Sequence, residues 1–310
     1  NPPNTVYTIT TAIAINGLLD WLEADPNAPA DRIVSTVSAA FQPFLEPEAQ
    51  SPGGILLYSL SANDKPYITY NPAAYMAGQM QRFSALTHDP QEQKRLRSVA
   101  DQTMTVLLDA RLIDPHGGWY WLYGVGESSP NDAAHAIYIV DGIYQYIAHQ
   151  GALADKFAWS DIVKHIDLFY SRSSERWMRF PQLASDSPQE PPRLYEIGML
   201  LRFMAMAGKH DEGLSLYQYS LEYRTPDGLY AKFPVSASNS DKPLVINEYM
   251  SYLLYGWSSL LFQPPVTVLS ESSNVVEESP SVDETLPATD LNRPILVPFT
   301  FLDVEDYAIQ

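Results

Sequence analysis

The stretch Trp119–His149, WYWLYGVGESSPNDAAHAIYIVDGIYQYIAH, decides the fold. It begins with an aromatic run of strand character, Trp119 to Tyr123, and crosses a Gly/Ser/Pro loop from Gly124 to Pro130. It then enters a helix whose mouth carries Asn131, Asp132 and His135. From Ala133 onward this helix is apolar on nearly every face, and such a helix is normally buried all round. Aromatic arm, polar helix mouth and apolar helix recur in that order, in weaker form, elsewhere in the chain.

Toward the N-terminus, Thr5–Glu23 predicts a helix that is apolar on nearly every face, and Asp31–Leu45 a more one-sided partner with Ile33, Val37 and Phe41 on one stripe. Gly53–Tyr58 is a short arm. Ala73 opens a second apolar helix in AAYMAGQMQRFSALT. The run from Gln91 follows as its amphipathic partner, and the turn Asp114-Pro115-His116-Gly117-Gly118 leads into the Trp119 arm. Toward the C-terminus, the helix at Ala133 is followed by Trp159–Tyr170 and the arm Arg176–Pro181. Next come Arg193–Ala207, Glu212–Tyr223, the arm Gly228–Pro234, and a last apolar helix Ile246–Phe262. A unit of buried helix, amphipathic helix and arm repeats every roughly 50 to 65 residues, a period that marks stacked supersecondary units. Each unit is a helical hairpin. Five buried helices alternating with four amphipathic ones predict an all-α fold: an incomplete five-hairpin α/α toroid with short β arms at one face. Closure into a ring, rather than an open solenoid, is expected because the buried helices have no polar concave face. Residues 1–263 form the toroid in this reading. Residues 264–310 form an acidic Pro/Ser-rich tail that wraps or links, with Ile295–Leu302 as a possible strand.

Composition narrows the function. The chain has 310 residues, 45% hydrophobic and 18% charged, enough for a substantial core. A net charge of -18 argues against a nucleic-acid groove, which needs a basic footprint. Residues 264–310 alone hold nine Asp/Glu against one Arg. Without cysteine, disulfides, thiolate zinc sites and thiol nucleophiles are excluded. No run of 18 or more uncharged apolar residues provides a spanning helix. The chain begins at Asn1 rather than Met, which reads as a processed or engineered fragment with its targeting signal out of view. Absence of Cys with abundant Tyr, Asn and Ser suits a secreted or periplasmic protein.

In such a ring the arms and the inner-helix N-termini meet at one face. The candidate catalytic residues there are His135, Asn131, Tyr138, Tyr195, Asp132, Glu196 and Glu248. The candidate substrate-binding residues are Tyr70, Tyr75, Trp119, Trp121, Tyr123, Arg176, Arg179, Arg193, Tyr230 and Tyr249. Pyranose rings present C–H faces that stack on aromatics, and arginine clamps a carboxylate with two parallel hydrogen bonds. Blander readings exist for the same residues. Asn131 and Asp132 precede a helix and suit N-capping. His135 shares a stripe with Tyr138, Gly142 and Tyr146, so a satisfied core histidine is equally compatible. Glu196 and Glu248 lie in first turns, where the helix dipole favours them. Most aromatics are core or rim packing, and Arg176 and Arg179 could pair with tail acids. No Walker loop, dinucleotide fingerprint, HExxH or GxSxG occurs. No cofactor is expected, and only a structural calcium held by carboxylates and carbonyls stays open.

From Arg193 the order RLYEIGMLLRFMAMAGKHDEGLSLYQYSLEY, GLYAKFP, LVINEYMSYLLYGWSSL resembles the catalytic α/α domain of D-glucuronyl C5-epimerases. YNPAAYMAGQMQRFSAL, with Asn71-Pro72, is similar to that family's helix entry, and the resemblance covers about residues 67–262. The family's acidic pair and tyrosine before proline stand here as Ala231-Lys232-Phe233-Pro234, with Tyr230 adjacent, and its β-rich N-terminal portion has no counterpart. The resemblance implies a polysaccharide or oligosaccharide substrate, uronate-containing, and abstraction of the C5 proton, the step shared by epimerases and lyases. In that chemistry an amide or Arg neutralises the carboxylate, His or Tyr is the base and Tyr the acid. The alternatives are a glycoside hydrolase pairing Asp132 with Glu196 or Glu248, and a glycan-binding toroid without a working acid or base.

Overall fold

The computed structural model describes residues 5–62, 68–184, 187–235, 245 and 247–262, with the side chains at positions 247, 248 and 262 left aside. The tail and its expected strand lie outside the described residues, as does the side chain of Glu248. Among the described residues nine α-helices follow one another: α1 (Thr8–Ala24), α2 (Ala30–Phe41), α3 (Tyr70–Phe83), α4 (Pro90–Ala110), α5 (Ala133–Ala148), α6 (Trp159–Ile166), α7 (Leu194–Met206), α8 (His210–Ser220) and α9 (Asn247–Phe262). Two short antiparallel ribbons stand between them. β1 (Leu112–Ile113) pairs with β2 (Trp119–Tyr120), and β3 (Tyr170–Ser171) with β4 (Arg176–Trp177). The expected α/α toroid is what forms. The odd-numbered helices α1 to α9 make the inner row, and α2, α4, α6 and α8 lie outside them.

The even helices bury a stripe only, as Ile33, Val37 and Phe41 do in α2. In α3 every residue is buried, and in α5 and α7 all but a few are. The ends of the inner row depart from the sequence expectation. Helix α1 is apolar on most faces, yet it buries only Thr8, Ala12, Ile15, Asn16 and Leu19, and Trp21 is 47% exposed. Leu254 and Leu261 of α9 are exposed as well. Both helices end the inner row, so each has a flank that no described helix covers.

Two kinds of contact join the inner helices. The first is backbone on backbone. A Cβ added at Gly78 would lie 2.3 Å from the Gly142 carbonyl oxygen, and one at Gly142 would lie 2.1 Å from that of Ala74. The same holds between α7 and α9, where a Cβ at Gly198 would meet the Tyr252 oxygen at 2.2 Å and one at Gly256 the Gly198 oxygen at 2.0 Å. The second is a buried ion pair. Arg202 of α7 grips Asp141 of α5 through Nε and Nη2, at 2.5 and 3.1 Å, and stacks on the Tyr255 ring. Arg82 of α3 reaches Asp20 and Glu23 of α1 at 2.9 and 2.6 Å. Between the ends of the row, Asn16 of α1 donates to the Tyr255 hydroxyl of α9 at 3.0 Å.

Alanine is the better helix former by about 1 kcal/mol, yet Gly142→Ala and Gly198→Ala should each destabilise the fold by about 1–3 kcal/mol or more, since the overpacked atom is backbone. A urea midpoint that falls with unchanged slope is the expected result. Asp141→Ala leaves the Arg202 charge buried alone and should cost about 3–5 kcal/mol. The joint replacement Asp141→Leu with Arg202→Met should cost clearly less in the same titration.

Candidate active site at the inner-helix mouth

Sequence places Pro130-Asn131-Asp132 before Ala133, and the structure starts α5 there. Asp132 is the N-cap, with Oδ1 accepting from the His135 backbone N–H at 3.1 Å. The same oxygen lies 2.5 Å from His135 Nδ1. The imidazole is 30% exposed while the Asp132 side chain is 7% exposed, so the buried carboxylate orients a ring that still meets solvent. Tyr123, at the end of the aromatic arm, sets its ring edge-on to His135 at 4.9 Å. The arm is held close by Gly124, where a Cβ would come within 2.3 Å of the Ile68 oxygen.

Arg179 links this mouth to that of α7. Its Nη2 contacts Asp132 Oδ2 at 3.3 Å, its Nε donates to Glu196 Oε1 at 3.1 Å, and its Nη1 to Glu190 Oε2 at 3.1 Å. Its backbone is fixed as well, since Ala133 N–H donates to the Arg179 carbonyl and Arg179 N–H to that of Glu190. Glu196 is fully buried and accepts from the Arg193 backbone N–H at 2.5 Å, closing a capping box on α7. Three carboxylates thus share one guanidinium. Burial, and then the nearby negative Asp132, push the Glu196 carboxyl up from 4.5 to about 7, against the pull of its hydrogen bonds and the arginines. Asp132 moves the other way: burial would raise it, but the His135 ring, its backbone N–H and Arg179 together hold it below the usual carboxylate value.

The other expected site residues divide into those near this mouth and those held elsewhere. Tyr195 packs its ring on Tyr249 at 4.7 Å, and its hydroxyl accepts from Arg193 Nη1 at 3.4 Å. Burial first, then the negative Glu196 and Asp132, raise that hydroxyl's pKa. Asn131 uses its amide N–H to hold the arm through the Trp121 and Leu122 carbonyls at 3.0 and 3.1 Å. Trp121 is buried and donates to the Leu107 carbonyl, and the Trp119 ring lies under Arg111 at 4.6 Å. Tyr70 is buried at the start of α3, Tyr230 is half-buried beside Arg224, and Arg176 is exposed on β4. Tyr138 donates to the Tyr252 hydroxyl at 2.9 Å and meets the Tyr75 ring edge-on. These tyrosines cross the ring below the mouth. Arg179 meets Asp132, Glu190 and Glu196, and the tail acids lie outside the described residues. Glu190 and Tyr252, which complete these networks, carry no sequence signal beyond their charge and their place on an apolar helix. Among the described residues no group of three or more His, Asp or Glu is placed to hold a metal ion, and no helix is long and apolar enough to cross a membrane.

No protein-family model matches the chain, and no curated protein does either. Solved structures resemble it in fold. The endoglucanase Cel10 of Klebsiella pneumoniae, a family 8 glycosyl hydrolase, superposes with a TM-score of 0.55 at 13% identity, over 91% of this chain and 86% of its own. A family 105 glycoside hydrolase of C. acetobutylicum superposes with a TM-score of 0.52 at 11% identity, over 79% and 77%. At these identities the likeness establishes the α/α toroid fold.

Proposed function

We propose that the chain is a carbohydrate-active enzyme that abstracts a proton next to a carboxylate, at C5 of a uronate residue, with His135 as the base. One observation carries this reading: a partly exposed imidazole held through Nδ1 by a buried carboxylate at a helix mouth, with the Tyr123 ring edge-on beside it. Asp132 fixes the tautomer that turns the Nε2 lone pair outward, and it stabilises the imidazolium once the proton arrives. Both glycoside hydrolases of similar fold support a saccharide as substrate. Arg179 is committed to three carboxylates, so the substrate carboxylate falls to Arg193, whose guanidinium meets the Tyr195 hydroxyl, and to Lys232, whose Nζ lies 6.0 Å from the Tyr249 ring centroid. Tyr195 keeps its proton at neutral pH and serves as the acid. It either returns a proton to C5 from the opposite face or protonates the leaving glycosidic oxygen.

A second reading, hydrolysis, draws on the opposite shifts of Asp132 and Glu196, a split that acid–base pairs require. Against it, Glu196 has no surface open to a substrate.

Incubation with uronate polymers should give absorbance at the unsaturated-uronate band or deuterium uptake at C5 from heavy water. His135→Ala should lower kcat/KM by about 10²- to 10⁴-fold. New reducing ends with neither signal, and with the His135→Ala variant as active as the parent, would favour the hydrolase. No turnover on any glycan would sink both.

The protonation split is measurable through stability. A carboxyl whose folded value lies above its unfolded value contributes most below that unfolded value, and the contribution is lost as pH rises. For Glu196 the loss runs from about pH 4.5 to about 7 and amounts to about 3 kcal/mol at most. Asp132, held low, acts in the opposite sense: its contribution is present above the ordinary carboxylate range and lost in acid. Glu196→Gln keeps an oxygen for the Arg193 N–H. Urea midpoints measured from pH 5 to 8 should therefore fall less steeply for that variant than for the parent.

A further inference from the structure

Below the mouth the inner helices enclose a cavity of about 1000 Å³ that the proposed reaction does not use. Its lining includes Ile13, Tyr75, Tyr138, Met199 and Tyr252, each five or six residues into its own helix, and extends to Glu23, Arg82 and His149 near the helix C-termini. The Tyr138–Tyr252 hydrogen bond lies at its inner end, between the cavity and Tyr195. Its exposed lining residues lie toward the helix C-termini, at Glu23, Ala24, Ala148 and Ser258, and on the flank of α1 and α9, at Gly17 and Ser251.

Gly17 lies on the rim of this cavity. Gly78, Gly142, Gly198 and Gly256 stand in their helices because backbone lies against them. Gly17 also sits in a helix interior, where glycine is less favourable than alanine. It is exposed, an added Cβ there meets nothing within 4 Å, and the residue lines the cavity. A side chain at this position would stand in that open space.

The wall chemistry selects the occupant. Tyr75 and Tyr144 place rings and hydroxyls in the wall beside the neutral polar groups of Gln145, Ser251 and Ser258, while Tyr255 is already held by Arg202 on its ring and by Asn16 and Asp20 at its hydroxyl. Both arginines are already committed: Arg202 to Asp141 and Ser259, and Arg82 to Asp20, Glu23 and Asn16. Asp20 and Glu23 are partly exposed and face an entering ligand with negative charge. Among the described residues an anion would meet no uncommitted arginine or lysine there, whereas a neutral polyol would meet tyrosines and neutral polar side chains. We propose that the axial cavity is a second binding site, separate from the mouth, for a neutral saccharide of about disaccharide size. Its volume is at the upper end of the about 300–1,000 Å³ of small-molecule sites. This stands whether or not the mouth carries out the proposed reaction.

Calorimetric titration of the whole chain with cellobiose, maltose and lactose, and with glucuronic acid as the anionic comparison, tests it. At least one neutral disaccharide should bind saturably at one site, and glucuronic acid more weakly. Gly17→Phe should weaken that binding by about tenfold or more, with Gly17→Leu in its place should the larger variant not fold. Gly17→Ala should raise the thermal midpoint and leave the affinity within about threefold. His135→Ala should bind as the parent does, which separates this site from the mouth. The proposal is overturned if no neutral disaccharide binds, if the bulky Gly17 variants bind as tightly as the parent, if glucuronic acid binds tighter, or if His135→Ala abolishes binding.

Discussion

The ring depends on two places where helix backbones touch. At Gly78–Gly142 and at Gly198–Gly256 the absent Cβ atoms let α3 meet α5, and α7 meet α9, at carbonyl-to-Cα distance. Such contact leaves no room for a side chain at the crossing point itself. The remaining inner seams are wider, and the sequence fills them with long polar groups: Arg82 with Asp20 and Glu23 between α3 and α1, and Arg202 with Asp141 between α7 and α5. Glycine seams and arginine seams therefore alternate. Each buried arginine is tolerated because its carboxylate partners and side-chain amides or hydroxyls meet its donors, a condition that a lone buried charge would fail.

The same alternation makes the two ends of the ring chemically different. At the N-terminal end lie the positive ends of the helix dipoles, and this is where the buried carboxylates sit. Asp132 caps α5, and Glu196 accepts from the backbone at the start of α7. At the other end lie the arginine pairs, His149 and the rim acids. The Tyr138–Tyr252 hydrogen bond stands between the two. One end therefore presents a partly exposed imidazole beside a carboxylate cluster, and the other tyrosines and arginines already paired.

The hairpins, the arms and the start of α5 were legible in the sequence because each depends on residues within a few turns of one another. Apolar periodicity sets the buried faces, and Pro130-Asn131-Asp132 sets the entry. Burial of α1 was overread, since composition reports how apolar a helix is and not whether a neighbour covers it. Gly78 and Gly142 were visible as glycines in apolar helices, and an interior helical glycine signals close approach, but its partner is some sixty residues away in the chain. The three-carboxylate grip of Arg179 was illegible for the same reason: Asp132, Glu190 and Glu196 come from two helix mouths and a loop. Asn131, a catalytic candidate by its place in the sequence, gives its amide N–H groups to two backbone carbonyls of the aromatic arm, partners that a sequence does not mark.

In the proposed reading Asp132 is at once the helix cap and the partner of the histidine. One of its oxygens terminates the helix backbone at His135 N–H and also approaches the ring of that same residue; the other faces Arg179. The helix geometry makes this coincidence available, because the N-cap side chain and the side chain at the third helical position occupy the same face of the first turn. A histidine placed there is oriented by the group that starts its helix, and the rigidity of the helix becomes the rigidity of the dyad. Arg179 then ties that dyad to the first turn of α7 through Glu196. The mouth is thereby held by two helices whose relative position is itself fixed by the Asp141–Arg202 pair deeper in the seam between them.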